Sequence, residues 1–442
     1  MKTPIYDFVK GYANSGMSRF HMPGHKGSGP LGCEALDITE IKGADVLSES
    51  EGIIGESEDN ASSLFGTAHT YYSTEGSTLA IKAMLAIVCA GKKRPLILAA
   101  RNAHKAFLYA AALLDIDVEW IYPESFLHIT SCQIDAYTLS KTISGLERKP
   151  CAVYITSPDY LGQSADIKAL ANVCHANSLP LLVDNAHGAY LAFDTPNNHP
   201  IALGADMCCD SAHKTLPVLT GGAYLHISKN ADTEYLTRAR DAMAFFASTS
   251  PSYLILQSID LCNTYLENNF KNDLWLCKTR VKAIKDYVSS LGFAILDSEP
   301  LKIVIDASGS GYTGYELAEI LRECEIECEF ADGEFTVLMV SPKNTEQDFE
   351  RLEIAFGKIF PKAPLVREAM SLTPSIQKIT VREAAFSIKE EIEIDVASGR
   401  ICAELAISCP PAVPIAVCGE LITEDTVALL KRYGVEKIKV VK

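Results

Sequence analysis

The sequence lacks any apolar run of the roughly 20 residues that a membrane-spanning helix requires. Its first residues carry Asp7 and two lysines among their apolar side chains, which is not the pattern of a secretory signal peptide. Lysine and arginine also form no cluster, and 40 basic against 56 acidic residues give a formal net charge of −16. We therefore expect a cytoplasmic protein that binds neither membranes nor nucleic acid.

Cysteines in metal-binding pairs are missing too, although the chain has 14 cysteines. Cys208 and Cys209 are adjacent, and Cys324 and Cys328 lack the companion Cys/His pair of a zinc site. Because nothing directs the chain to an oxidising compartment, we expect reduced cysteines in the core. The sequence therefore predicts no metal site.

The alternation of helix and strand patterns predicts the fold class. The composition is that of an ordinary globular protein, with 48% apolar and 22% charged residues. Strands are predicted at 96–99, 118–121, 152–156, 181–184 and 222–227, and helices at 4–12, 78–90, 103–114 and 167–176. These strands are apolar throughout, which favours a mainly parallel sheet covered by helices on both faces.

The spacing of the apolar residues changes towards the carboxyl end of the chain. A helical pattern occupies 233–290, and beyond it two strands (302–306 and 335–340) and two helices (315–324 and 345–360) indicate a smaller α/β domain. A length of 442 residues suits two or three domains. We expect an N-terminal segment (1–70), a large domain (71–290) and a small C-terminal domain (291–442).

A lysine and an aspartate have the spacing that pyridoxal phosphate (PLP) would need. This cofactor forms a Schiff base with a lysine amine and requires an acidic partner at its ring nitrogen. Lys214 lies thirty residues after Asp184, which ends an apolar strand. Ligands of open α/β folds bind at that edge of the sheet. Taken singly, the commoner interpretations are a helix cap for Asp184 and a solvated loop residue for Lys214.

Two further features would complete such a site. Gly76, Ser77 and Thr78 begin an apolar helix, whose first N–H groups and hydroxyls favour a phosphate. His104 follows a predicted strand, where its ring could stack on a flat cofactor. In isolation, the commoner interpretations are a plain helix cap and an exposed histidine at a helix start.

Seven stretches together resemble, in order, motifs of the PLP-dependent ornithine/lysine/arginine decarboxylases. They are HMPGHKG (21–27), EGST (75–78), RNAHK (101–105), TSPDYLG (156–162), DNAHGAY (184–190), SAHKTLP (211–217) and CPPAVPIAVCGE (409–420). The resemblance runs from residue 4 to about residue 434. It implies PLP fold type I, with a mainly parallel seven-stranded sheet in the large domain and a smaller C-terminal α/β domain. The length suggests the compact form of the family, without an amino-terminal receiver-like wing.

The resemblance also implies a role for each matching residue. The catalytic residues would be Lys214 for the Schiff base, Asp184 for the ring nitrogen and His104 for stacking on the ring. Ala186 would pack on the opposite ring face, and His187 would lie near the phenolic side of the cofactor. The phosphate would be bound by Gly76, Ser77, Thr78, Ser211 and His213.

The chain departs from the family pattern at three positions. Asp210 stands where glutamine is usual, beside the expected phosphate contact. Glu75 replaces an asparagine, and Ala412 replaces a glycine in the segment that helps to shape the substrate end. None of these changes removes an expected catalytic group.

The resemblance implies decarboxylation of a basic amino acid (arginine, lysine or ornithine). Two alternatives are another fold type I reaction, such as transamination or aldol-type cleavage, and a catalytically silent regulatory paralogue. The N-terminal HMPGHKG motif and the Pro-rich segment argue against the first alternative, and intact Lys214, Asp184 and His104 argue against the second. We expect a homodimer or a higher even oligomer, because loop 21–27 has too few apolar side chains to anchor itself and would line a shared active site.

Overall fold

The computed structural model describes residues 1–123, 128–367, 374–407 and 413–442. Its strands are β1 His69–Ser73, β2 Leu96–Ala100, β3 Asp117–Ile121, β4 Ala152–Thr156, β5 Leu181–Asp184, β6 Met207–Asp210, β7 Ala223–Ile227, β8 Ala294–Leu296, β9 Lys302–Asp306, β10 Phe330–Ala331, β11 Phe335–Met339, β12 Lys389–Glu393, β13 Ala406–Ile407, β14 Ala416–Val417 and β15 Lys437–Val441. Its α-helices are α1 Pro4–Ala13, α2 Ile53–Phe65, α3 Gly76–Cys89, α4 Lys105–Leu114, α5 Ala136–Gly145, α6 Ile167–Ala176, α7 Pro200–Leu203, α8 Ala212–Thr215, α9 Thr233–Ala244, α10 Tyr253–Asn268, α11 Phe270–Ser290, α12 Gly314–Glu323, α13 Glu346–Phe356, α14 Val381–Ala385 and α15 Glu424–Arg432.

The large sheet has seven strands in the order β1-β7-β6-β5-β4-β2-β3. Only β7 runs against its neighbours, and the remaining strands are parallel to one another. This confirms the predicted mainly parallel seven-stranded sheet. The sequence pattern located five of its strands, and the unpredicted strands β1 and β6 complete it.

Both faces of this sheet are covered, which explains why its strands are apolar throughout. In β5 every residue is buried. Leu182 shares a core with residues of α3 and α4. Leu181 and Val183 point to the opposite face and share a core with α6.

The rest of the chain forms a second sheet and a terminal segment. The second sheet has the order β10-β11-β9-β8 and is antiparallel, with α11 and α12 packed against it and α13 packed on α11. The terminal segment pairs β12 with β15 and β13 with β14. Its Ile438 and Val440 share a core with Leu98 and Ile121 of the large sheet. The terminal segment therefore packs on the large sheet, and the domain boundary at 290 stays a prediction.

Two further findings concern the cysteines and the helices of the described residues. Every cysteine within them is a free thiol, in keeping with the expected reduced state. None of the helices in these ranges has the length and apolar character needed to cross a membrane.

Candidate active site

A cavity of about 550 Å³ opens at the carboxyl edge of the large sheet. The loops after β2, β4 and β5 and the short helix after β6 meet there, as the carboxyl ends of parallel strands must. The terminal segment contributes Glu404 and Lys439 to the opposite wall. Of the residues predicted for the site, those that line the cavity are Ser77, His104, Asp184, Ala186, His187 and Lys214. The volume is in the range of pockets that hold small cofactors and substrates.

Lys214 reaches the cavity from α8, immediately after β6. Its Nζ lies 3.0 Å from Nε2 of His187. Burial lowers the pKa of the Lys214 amine, and the negative charge of Asp184 partly opposes this effect. Burial, reinforced by the charges of Lys302 and Lys214, also holds the pKa of His187 well below its usual value. His187 is therefore a neutral partner for the lysine amine.

Asp184 is fixed at the end of β5 by donors on both of its carboxylate oxygens. The hydroxyl of Tyr154 donates to Oδ2 at 3.0 Å, and the N–H of Ala186 donates to Oδ1 at 3.2 Å. Burial raises the pKa of Tyr154 well above its usual value, so Tyr154 stays a phenol donor. The carboxylate is thus oriented from two sides while it lines the cavity.

His104 caps a helix and also lines the cavity. It caps α4, because its Nδ1 accepts the N–H of Ala106 at 3.2 Å. A neutral ring with this bond carries its proton on Nε2. Burial lowers the pKa of His104, which favours the neutral ring. His104 is therefore a helix-start histidine, as in its ordinary interpretation, but it also forms part of the cavity wall.

The expected phosphate residues gather where α3 begins. The Ser211 hydroxyl donates to Oγ of Ser77 at 2.8 Å. The carbonyl of Gly221 accepts the N–H of Gly76 at 2.7 Å. Gly221 has a φ of +99°, and a Cβ there would lie 2.8 Å from the Thr74 carbonyl oxygen, so only glycine fits this approach.

Not all of these residues face the cavity. Gly76, Thr78, Ser211 and His213 lie beside its wall rather than in it. The His213 ring bonds the carbonyl of Gly222 through Nδ1 at 2.9 Å. The first turn of α3 still offers backbone N–H groups that have no acceptor within the helix, as every helix start does.

Two of the three departures from the family pattern, Asp210 and Glu75, are not among the residues that line the cavity. The Asp210 carboxylate is on the opposite face of the sheet, where it contacts His199 and His226 at 3.0 and 3.1 Å. The expectation that this carboxylate lies beside the phosphate is therefore wrong, because alternate residues of a strand point to opposite faces. Glu75 accepts the N–H of Ser248 at 2.5 Å. Ala412 lies outside the described residues.

Several site features were not predicted. Asn102, Thr130, Thr156 and Tyr160 line the cavity. Asn102, Thr156 and Tyr160 occur in quoted motifs, but the sequence assigned them no role, and Thr130 carries no local signal. Arg101 and Glu420, from two further motifs, form a buried ion pair at 2.5 Å. Loop 21–27 is absent from the cavity lining of the described single chain.

Among the described residues, several buried polar atoms of those that line the cavity lack a hydrogen-bond partner, which favours a polar ligand. Asn102 Oδ1, Thr130 Oγ1, Thr156 Oγ1 and His187 Nδ1 are buried and lack a hydrogen-bond partner within the described part of the chain. Buried polar atoms are normally bonded, so these four favour a ligand that carries its own polar groups. Together with a buried amine and a fixed carboxylate, they fit pyridoxal phosphate.

A seven-stranded, mainly parallel sheet with a lysine and a carboxylate at its carboxyl edge is the architecture of the fold type I PLP enzymes. The family model described as the Orn/Lys/Arg decarboxylase major domain matches residues 3–293. The chain belongs to this family, whose cofactor is PLP.

Three relatives illustrate the similarity. The uncharacterized protein YaaO of Bacillus subtilis is 31% identical, over 98% of this chain and 94% of that protein. The arginine decarboxylase of Bacillus subtilis is 28% identical, over 97% of this chain and 93% of its own length. The constitutive lysine decarboxylase of Escherichia coli has a solved structure with a TM-score of 0.80 and 17% identity, covering 100% of this chain and 82% of that chain. That structure supports the fold. Family and relatives together make the chain a PLP-dependent decarboxylase of a basic amino acid.

Proposed function

We propose that the chain removes the α-carboxylate of arginine as CO2, adds a proton to the same carbon and releases agmatine. The observation that carries the chemistry is the presence of the Lys214 amine and the fixed Asp184 carboxylate in one cavity. Arginine is favoured by the arginine decarboxylase relative, which matches this chain over nearly the full length of both proteins.

In this proposal Asp184 controls the charge of the cofactor ring. Bound PLP supplies an electron sink for the electron pair that remains when CO2 departs. Asp184 holds a proton on the ring nitrogen, since a carboxylate stabilises an adjacent cation. Tyr154 and the N–H of Ala186 keep the carboxylate in position for this task.

Lys214 holds the cofactor through Nζ and later takes part in proton transfer. Its lowered pKa increases the share of neutral, nucleophilic amine. The neutral His187 ring, whose Nε2 lies 3.0 Å away, hydrogen-bonds Nζ and holds the amine in place.

The remaining cavity residues orient the cofactor. We assign the two ring faces to His104 and Ala186 on opposite sides. The phosphate is assigned to the start of α3, with Ser77 and Thr78, and to Ser211 and His213. The helix start attracts an anion through its N–H groups and its dipole.

Glu404 is the residue that we propose for the distal guanidinium of arginine. Asp159 also lines the cavity, but it already accepts from Ser131, Gln133 and the N–H of Gln163. Glu404 lies on the wall formed by the terminal segment, where its Oε1 accepts a single backbone hydrogen bond, from the N–H of Lys439 at 3.0 Å, within the described residues. A carboxylate there matches the planar, forked donors of a guanidinium.

The experiment measures CO2 release from arginine, lysine and ornithine by the PLP-loaded protein. Arginine should give the highest kcat/KM, and Lys214→Ala should abolish the reaction. Glu404→Gln should raise KM for arginine more than it lowers kcat. A clear preference for lysine or ornithine would refute the substrate assignment, and no CO2 from any of the three would refute the activity.

A further inference from the structure

Four side chains with metal-binding atoms meet on the face of the large sheet that lies opposite Asp184. Cys208 and Asp210 are alternate residues of β6, so their side chains point to the same face. His226 of β7 lies directly across from Cys208 in the sheet register. His199 precedes α7 and closes the group. All four residues are buried. The side chains of His199, Asp210 and His226 are at most 1% exposed.

The donor atoms are spaced as the ligands of one metal ion would be. Asp210 Oδ2 lies 3.0 Å from Nε2 of His199 and 3.1 Å from Nε2 of His226. Cys208 Sγ lies 3.9 Å from Nε2 of His199, and one donor atom from each of the four residues lies within 4.8 Å of the others. Tetrahedral zinc ligands lie about 3.3–3.6 Å apart, so shifts of a few tenths of an ångström to about 1 Å would bring these atoms onto one ion.

The surrounding bonds leave these atoms free to converge. Asn185 donates to the other Asp210 oxygen, Oδ1, at 2.6 Å. The second ring nitrogen of His226, Nδ1, lies 2.9 Å from the Thr70 hydroxyl. Metal-binding histidines commonly have such an outer partner, which fixes the ring orientation. Phe65 lies over the cluster, with its ring centroid 4.5 Å from that of His226.

Charge balance favours a divalent cation in this place. A thiolate, a carboxylate and two neutral imidazoles carry two negative charges, which one divalent ion neutralises. The neutral set of ion and ligands costs less to bury than the same thiolate and carboxylate without a cation. The donor set, one soft sulfur with two nitrogens and one oxygen, is typical of zinc and closely related transition metals.

We propose that His199, Cys208, Asp210 and His226 bind one zinc-class divalent ion as a closed structural site. Four protein ligands leave no open position for substrate, which distinguishes a structural from a catalytic zinc site. The ion would join β6, β7 and the loop before α7. Through Asp210, the ion would also hold Asn185, which is the residue next to Asp184. The cysteine spacing did not predict this site, because its ligands come from three separate elements.

The experiment is metal analysis and zinc-edge X-ray absorption on the PLP-loaded protein, purified from zinc-supplemented cells. We expect about one zinc per chain, with one sulfur at about 2.3 Å and three nitrogen or oxygen atoms at about 2.0–2.1 Å. Cys208→Ser should lose the sulfur shell. Cys174→Ser, which changes another fully buried thiol, should keep it.

Wild-type protein keeps the test informative if a variant does not fold. A purified wild type that holds far less than one zinc per chain, and that takes up neither zinc nor cobalt on refolding, would show that the cluster is only a hydrogen-bonded network. A sulfur shell that survives in folded Cys208→Ser would place the metal elsewhere and would overturn the proposal equally.

Discussion

At the level of single residues, the chemistry depends on how Asp184 is held. Its two oxygens have different donors, a phenol and a backbone N–H. The phenol belongs to Tyr154, an interior residue of β4 that an apolar strand pattern does not single out. The aspartate itself was predictable from its place at a strand end, whereas its orienting partner was not.

Asp184→Asn should fold normally and lose turnover by about 100-fold or more, because a neutral amide does not hold the ring proton. Tyr154→Phe, which removes only one hydrogen bond to Asp184, should lose about tenfold or less. Steady-state kcat and thermal melts of both variants provide the measurement. Near-normal turnover in a folded Asp184→Asn enzyme would contradict the assigned role.

The lowered pKa of Lys214 predicts a pH dependence for cofactor uptake. The neutral amine attacks the PLP aldehyde, so uptake by the apoprotein should slow as the pH falls through the pKa of Lys214. Because burial disfavours the ammonium form, the midpoint should lie below 10.5, the value of an ordinary lysine. The rate of absorbance change after mixing with PLP, measured across pH, gives this midpoint. A midpoint at or above 10.5 would show that the amine is solvated.

At the level of elements, one buried ion pair joins two distant motifs. Arg101 follows β2, and Glu420 lies in the terminal segment. Two bonds, at 2.5 and 2.8 Å, connect the guanidinium to the carboxylate. Arg101 also donates to the Pro414 carbonyl at 3.2 Å. This pair ties the cavity wall that carries Glu404 to the large sheet.

Glu420→Gln should destabilise the protein by about 3–5 kcal/mol, because it leaves the Arg101 charge buried without a counter-charge. Urea unfolding of the apoprotein measures this loss. The matched control is Asp395→Asn, which breaks an exposed ion pair with Lys431 and should change stability little. Equal, small effects of the two substitutions would indicate that the buried pair does not anchor the segment.

The elements that the sequence did not predict have a common physical reason. Helix α2 buries polar residues, including Ser57 and Glu58, so its apolar periodicity is weak. Glu58 is satisfied by Arg240 and the N–H of Tyr72, contacts that no local pattern reveals. Strand β6, Met-Cys-Cys-Asp, has no branched aliphatic residue to mark it as a strand. By contrast, β5 has the same length and also ends in an aspartate, but its Leu-Leu-Val run was predicted to the residue.

At the level of the whole molecule, the segment around loop 21–27 exposes large apolar side chains in the single chain. Phe20, Met22 and Leu31 are 96%, 66% and 82% exposed. Exposed apolar side chains of this size favour contact with a partner surface. We propose that this loop packs on a second copy of the chain and completes its active site, as the family resemblance implies.

Mixing two inactive variants tests the shared site. The first is Lys214→Ala, and the second replaces residues 21–26 by glycine and serine. A deletion of 1–27 is unsuitable, because Ile5 and Val9 of α1 belong to the core. Freely exchanging dimers should regain about a quarter of wild-type activity, since half of the dimers are mixed and each has one intact site. An inactive mixture in which labelled subunits demonstrably exchange would refute the shared site.

The identity of the lysine that holds PLP is the central claim. Borohydride reduction of the PLP-loaded enzyme fixes the cofactor to that amine, and peptide mass mapping then locates it. We predict the pyridoxyl group on the peptide that contains Lys214. Lys105, Lys389 and Lys439 also line the cavity and serve as internal comparisons. A pyridoxyl group on any of these three, with Lys214 unmodified, would contradict the account.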